Sequence, residues 1–296
     1  MTKPTVDIGR FGIWTGVLDA HPSAVAQQAA RVVEELGFSA LWIPEAVGRD
    51  PFVAATLMLS ATTDLKLATG IANIYARDPM TMASCQKTVA EAFPGRFLLG
   101  MGVSHGHLVA GVRKHDYSRP FSYMSEYLDR MDKALFMAIG PDADPGRLLA
   151  ALGPKMLELS ATKANGAHPY FTTPEHTKIA RQALGPDALL APEQMVVLST
   201  DPAEARRIAR KGMKVYMPLP NYFNNLMRLG FTEEDRLDGG SDRLVDAVVA
   251  WGTVDQVAER VRAHHDAGAD HVCVQVLRDD IAVPETEWRE LAAVLI

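Results

Sequence analysis

Four helix starts in this chain share one device. Asp50-Pro51, Asp78-Pro79, Thr173-Pro174 and Asp201-Pro202 each set a capping side chain directly before a proline. The side-chain oxygen accepts from the first free N–H groups of a helix, and proline fits the first helical position because its φ is already right and its missing N–H loses no partner. Each pair follows a short apolar run: Leu41–Ile43, Leu67–Ile74, Ala167–Phe171 and Met195–Leu198. The helices then stop at glycines. Opened by His21-Pro22, a stretch with Val25, Ala29, Val32, Val33 and Leu36 on one face ends at Gly37, before Ser39–Ile43; Val254, Val257, Ala258, Val261 and His265 precede Gly268 and His271–Leu277 in the same way. Asp201 with Glu204, and Thr253 with Gln256, have capping-box spacing. Strand, short loop, capped helix, glycine, strand is the rhythm of parallel βα units.

About eight apolar runs qualify as strands, at 8–15, 38–44, 65–71, 96–103, 147–152, 166–171, 194–199 and 270–277. That number favours a closed (β/α)8 TIM barrel over an open doubly wound sheet. The 296 residues fit one such α/β domain spanning 1–296, with two smaller domains as the competing reading of length alone. Two segments exceed the minimal unit. Residues 104–120 read as a long polar loop, and 214–252 as an insertion between strands 7 and 8 that ends in a helical stretch, Asp242–Trp251.

Composition excludes several functions. The chain is 48% hydrophobic and 22% charged, enough to bury a large core. Its net charge of −6 comes without a basic run, so a nucleic-acid partner is not expected. No uninterrupted apolar stretch reaches the length of a membrane span, and Met1–Arg10 carries no signal-peptide core. Cys85 and Cys273 are too few and too far apart for a disulfide framework or a structural zinc site. A soluble cytoplasmic protein is expected.

Barrel chemistry gathers where strands end and loops to the next helix begin. Glu45, after Trp42-Ile43-Pro44, is there either an acid/base and cofactor contact or a charge at the start of a helix. Gly70, Ile71, Ala72 and Asn73 follow the third strand, where a glycine lets a flat ring approach the main chain. Gly100-Met-Gly-Val-Ser-His-Gly106 lacks the dinucleotide fingerprint, which requires glycine at the position of His105. His105 is the candidate proton donor or ring contact; with His107 it makes a poor metal pair, since no carboxylate or third histidine stands close in sequence, and no metal is expected. Ala150, Ala151, Leu152 and Gly153 lead into a helix at Pro154, where backbone N–H groups can cradle a phosphate or merely pack tightly. His168 closes the sixth strand, and Arg278, at the end of the eighth, is either a surface arginine or a contact for an anionic substrate.

Taken in order, Gly37–Glu45, Thr69–Pro79, Pro94–Gly102, Glu126–Asp129, Ala151–Pro154, Gly166–Pro169 and Ala267–His271 resemble the luciferase-like monooxygenase superfamily, in particular its deazaflavin-dependent branch, almost end to end. The resemblance implies an oxidoreductase that transfers hydride between coenzyme F420 and a small organic substrate. FMN-dependent monooxygenation, or cofactor binding without turnover, are the competing functions. It also implies a cis peptide at Gly70–Ile71 backing the ring, Gly102, Val103 and Ser104 along the ring or its side chain, a phosphate at Ala150–Gly153, and a homodimer. Sugar-phosphate dehydrogenases of this family carry an Asp-His pair after the second strand, and here that pair is Glu45-Ala46. The loss of that imidazole points to another substrate class.

Overall fold

The computed structural model describes residues 6–296; the first half of the 1–10 segment read for a signal peptide lies outside them. The first half runs β1 (Phe11–Trp14), α1 (Ser23–Glu35), β2 (Ala40–Ile43), α2 (Pro51–Leu59), β3 (Lys66–Thr69), β4 (Ala72–Asn73), α3 (Pro79–Ala92), β5 (Phe97–Gly102) and α4 (Pro120–Asp132). Then come β6 (Arg147–Leu149), α5 (Pro154–Lys163), β7 (Gly166–Ala167), α6 (Pro174–Leu184), β8 (Leu189–Leu190), β9 (Glu193–Val197) and α7 (Pro202–Met213). The chain closes with α8 (Pro220–Arg228), α9 (Asp242–Val248), β10 (Val249–Trp251), α10 (Val254–Asp266), β11 (Val272–Val276) and α11 (Glu285–Leu295).

All strand pairs are parallel, in the order β10-β9-β11-β1-β2-β3-β5-β6-β7-β8, with β4 also against β5. Only Ala191 and Pro192 separate β8 from β9 in the chain, so the path curls back towards its own start. The result is an α/β fold with a curled parallel sheet sheathed in helices. Alternation along each strand explains the packing. Leu41, Ile43, Leu67, Phe97 and Leu99 pack with apolar faces of α1 to α4, α10 and α11. Ala40, Trp42, Ala68, Leu98 and Leu148 turn the other way, with Trp14, Phe171 and Tyr222.

The caps behave as their chemistry demands. Asp50, Asp78 and Asp201 each accept from two backbone N–H groups of the following helix, and Thr253 with Gln256 forms a complete capping box. Thr173 precedes Pro174 without a side-chain cap, and Asp201 with Glu204 makes no reciprocal box. Gly37 has φ +86°, the left-handed geometry that ends a helix cheaply in glycine. Two expectations are corrected. Val249–Trp251 is a strand, because its β-branched Val249 and the residues after it find a ladder along β9; the helix stops at Val248. The polar loop 104–120 contains a π-helical turn at His107–Val112, anchored by the buried Val109.

Strands β3 and β5 meet tightly. Thr69 Oγ1 donates to the Gly100 carbonyl at 2.6 Å and accepts from the Gly100 N–H at 2.9 Å, fully buried. A side chain at Gly100 would stand 2.0 Å from the Thr69 carbonyl oxygen. Thr69→Val keeps the shape but leaves a buried donor and acceptor unpaired, so it should cost about 1–3 kcal/mol in urea denaturation; an unchanged midpoint would contradict this reading.

Candidate active site

A cavity of about 580 Å³ opens where the strands end. Trp14 of β1, Pro44 to Ala46 after β2, Gly70 and Ile71 after β3, and Val103 to His105 after β5 form one part of its wall. Ala150 to Gly153 after β6, His168 and Tyr170 after β7, and residues of the 215–228 segment complete it. That volume lies within the usual range of ligand pockets, roughly 300–1,000 Å³.

The Gly70–Ile71 peptide is cis, at the position the sequence points to. Trp14 Nε1 donates to the Gly70 carbonyl at 3.2 Å, and a Cβ on Gly70 would meet that nitrogen at 2.5 Å and His168 Nε2 at 3.1 Å. Glycine is therefore required by space. Ala72 and Asn73, expected at the cofactor, instead form β4 and pair with Met101 and Gly102; the Asn73 side chain accepts from the Tyr75 N–H at 2.9 Å. Gly102 sits behind the wall, where a Cβ would press on Ile71 and Ala150 at 2.9–3.0 Å. Ser104 lines the cavity with φ +57°, its carbonyl accepting from Tyr117 Oη at 2.8 Å.

Glu45 reaches the cavity, but its carboxylate is committed. Arg77 donates to Oε2 at 2.8 Å and to Oε1 at 2.6 Å, and the Asn73 N–H donates to Oε2 at 2.7 Å. Both side chains are under a tenth exposed.

His105 stacks near His107 with ring centroids 5.9 Å apart and lies 5.4 Å from Tyr222. Burial, and then the neighbouring His107, hold it down at about 4 against a hydrogen bond with the Asn221 side chain, so at neutral pH the ring is uncharged. His168 is buried and stacked on Trp42 at 4.4 Å. Its Nδ1 lies 2.7 Å from the Ala191 carbonyl, which only accepts, so Nδ1 carries the proton. Nε2 is an acceptor with no hydrogen-bond partner among the described residues and is sealed from solvent, although the residue borders the cavity. Burial lowers this histidine to about 4 as well. Arg278 is placed away from the cavity, bound to Asp280 and Glu287.

Three groups were not among the candidate site residues. Leu219, Asn221, Tyr222, Asn224 and Arg228, around α8, close the cavity. Their only sequence signal is aromatic and polar crowding in Tyr222–Leu226. Arg228 extends beside Gly153, whose Cβ would stand 3.7 Å from both terminal guanidinium nitrogens, and α5 begins there with no side-chain cap. A free helix N-terminus and a cation thus face one point, an arrangement suited to a phosphate. Tyr170 and Tyr216 add phenol rings, their hydroxyls 2.7 Å apart. Glu193, on β9, is buried beneath these rings with Oε1 unpartnered.

With this geometry the chain is an α/β protein built around a strand-end ligand cavity, and its family follows. A family model described as luciferase-like monooxygenase matches residues 11–271, so the chain belongs to the luciferase-like monooxygenase family. A Mycobacterium tuberculosis protein provisionally named a coenzyme F420-dependent oxidoreductase is 23% identical over 327 residues, covering 90% of this chain and 94% of that protein. The fold is similar to a structure titled F420-dependent secondary alcohol dehydrogenase in complex with an F420-acetone adduct, with TM-score 0.80, 13% identity and coverage of 97% and 98%. It is also similar to the oxygenating constituent of 3,6-diketocamphane monooxygenase from Pseudomonas putida in complex with FMN, with TM-score 0.71, 14% identity and coverage of 98% and 99%.

Glu193 gives a test of the site's interior. Burial pushes it up to about 8, only partly offset by the Phe171 N–H. Between its ordinary value of 4.5 and about 8 it is protonated when folded and ionised when unfolded, so folding loses stability as pH rises through that window. Glu193→Gln cannot ionise. Its stability relative to wild type should climb from about pH 5 to about pH 8 and then level off. A difference that stays constant across urea melts in that range would refute this.

Proposed function

We propose that this chain is an oxidoreductase that exchanges hydride between the deazaflavin coenzyme F420 and a small organic substrate. The observation that carries the reading is one cavity joining a ring-sized wall to an anion cradle. Gly70, Ile71, Trp14 and Val103 border the first, and the start of α5 with Arg228 forms the second. In this reading the curled sheet is a (β/α)8 barrel in which β3 with β4, and β8 with β9, each count as one stave, and β10 belongs to segment 214–252 and stands outside the eight. Segment 214–252 is then the insertion before the last stave, covering the mouth.

The residues present fit such a cofactor. Trp14, Ile71 and Val103 give a flat ring an apolar border, and Ala150 to Gly153 with Arg228 would hold the phosphate. When bound, the deazaflavin supplies two-electron hydride chemistry. The chain's task is then to orient the substrate, exclude water and handle one proton. His105, uncharged and on the wall, is the residue proposed to meet the substrate's oxygen. Glu45, the other acid–base candidate, acts in this proposal through its pair with Arg77, holding Gly70–Asn73 and Pro44–Ala46 in register. An FMN-dependent monooxygenase is the second reading, supported by the fold match to the FMN-bound diketocamphane enzyme. The match over nine-tenths of the chain to the F420-named mycobacterial protein favours the deazaflavin. A cytoplasmic homodimer completes the proposal; among residues 6–296 no helix is long and apolar enough to cross a membrane.

Titrating the protein with F420 and with FMN, and following Trp14 and Trp42 emission, distinguishes the two cofactors. Arg228 is exposed and makes no ion pair among the described residues, so Arg228→Ala should leave the melting temperature unchanged. Losing a hydrogen bond to a charged group, about 1.5–3 kcal/mol, should weaken cofactor binding about 10- to 100-fold. Equal affinity in the variant would remove the phosphate from this end.

A further inference from the structure

The rest of the wall carries information about the substrate. Trp14 lies 5.0 Å from Tyr170, which lies 5.2 Å from Tyr216 and 6.1 Å from Tyr222; Tyr222 in turn lies 5.4 Å from His105. Phe171, with φ +57°, backs this row at 5.3 Å from Tyr216 and 5.4 Å from Tyr222. Aromatic rings thus run unbroken from the peptide at Gly70 to His105.

Two of the three phenols have little polarity to spare. Tyr170 Oη is 2.7 Å from Tyr216 Oη and 2.7 Å from Gln275 Oε1. An amide oxygen only accepts, so the single Tyr170 hydrogen goes to Gln275, and Tyr216 must spend its own on Tyr170. Both donors are consumed within the wall.

Formal charge is equally scarce. The charged residues lining the cavity are Glu45, neutralised by Arg77, and Arg228, beside Gly153. His105 and His168 are uncharged at neutral pH because burial opposes their protonation. A carboxylate or phosphate against the tyrosines would leave water without meeting a cation, and such uncompensated desolvation costs several kcal/mol. A neutral ring loses little and stacks on the wall.

We infer that the substrate is an uncharged, ring-bearing ketone, or the secondary alcohol it becomes, selected by Tyr170, Tyr216 and Tyr222, and that carboxylates and sugar phosphates are rejected. This rests on the hydride-transfer reading of the same cavity. With reduced deazaflavin as co-reactant, hydride carries two electrons to the carbonyl carbon, the carbonyl π pair moves onto oxygen, and that oxygen takes the N–H proton of the neutral His105 ring, which regains one from solvent. The reverse applies to the alcohol with oxidised deazaflavin.

The probes are acetophenone, 1-phenylethanol and the charged counterpart 4-acetylbenzoate, with glucose 6-phosphate as the sugar phosphate. Binding is read as thermal stabilisation with and without deazaflavin, and turnover as deazaflavin absorbance. With deazaflavin bound and the anion cradle filled, acetophenone or 1-phenylethanol should bind at least about tenfold more tightly than 4-acetylbenzoate, and glucose 6-phosphate should not bind. Tyr222→Leu should weaken the neutral compounds about tenfold while changing deazaflavin affinity less than about threefold. Val215→Arg places a cation on an exposed part of the wall and should improve 4-acetylbenzoate binding about fivefold, whether or not the leucine variant folds. Equal or tighter binding of the anionic probes to the deazaflavin complex, or no binding of either neutral compound, overturns the inference. Failure of deazaflavin to bind while the neutral compounds still do overturns only the cofactor reading.

Discussion

The Glu45–Arg77 pair is the tie on which the mouth of this protein depends. Arg77 meets both oxygens of Glu45 and also the Asp50 carboxylate at 3.0 Å, so one guanidinium joins the end of β2, the cap of α2 and the loop before α3. The Arg77 carbonyl accepts from Tyr127 Oη at 2.9 Å, adding α4. The Asn73 N–H on the same carboxylate fixes β4, and with it the turn through Gly70 and Ile71. Because the Glu45 carboxylate is buried, removing Arg77 would take its close partner from it, and breaking such a pair costs roughly 3–5 kcal/mol. The loops are held by that penalty.

Beneath the mouth the interior is polar yet uncharged. His271 has Nδ1 3.0 Å from the Gly9 carbonyl and accepts from Trp42 Nε1 at 3.0 Å; Trp42 stacks on His168, whose Nδ1 faces the Ala191 carbonyl. Each proton position follows from a partner that only accepts or only donates. Burial keeps His271 near 4 and raises Glu193 towards 8, so both tend to their neutral forms. A site built this way offers hydrogen-bond acceptors and aromatic faces, and keeps its one unpaired cation, Arg228, at the far end by α5. That division of labour, ring and neutral substrate at one end and phosphate at the other, underlies the proposed chemistry.

Much of the architecture was legible from local patterns. Asp-Pro starts, glycine stops and apolar runs located the main strands to within a few residues, since caps and turn geometry depend on near neighbours. Gly70, Glu45, His105, Ala150 to Gly153 and His168 all came to the cavity wall because strand ends converge there. Ala72 and Asn73 did not, since the chain after Gly70 returns to the ladder beside β5. Val249–Trp251 was misread as helix for a related reason: its partner β9 lies more than fifty positions earlier, and pairing with it outweighed the local pattern.

Sequence by itself determined the alternation of strands and capped helices, the parallel sheet they imply and the band of loops that carries the chemistry, because those follow from spacing and side-chain type within a few residues. Only the tertiary structure decided that Glu45 is consumed by Arg77, that Arg228 stands at the start of α5, that Glu193 is buried without a counter-charge, and that three tyrosines form one wall. Those outcomes depend on which groups distant in the chain share a low-dielectric space, where charge, proton position and hydrogen-bond supply are set jointly by every neighbour.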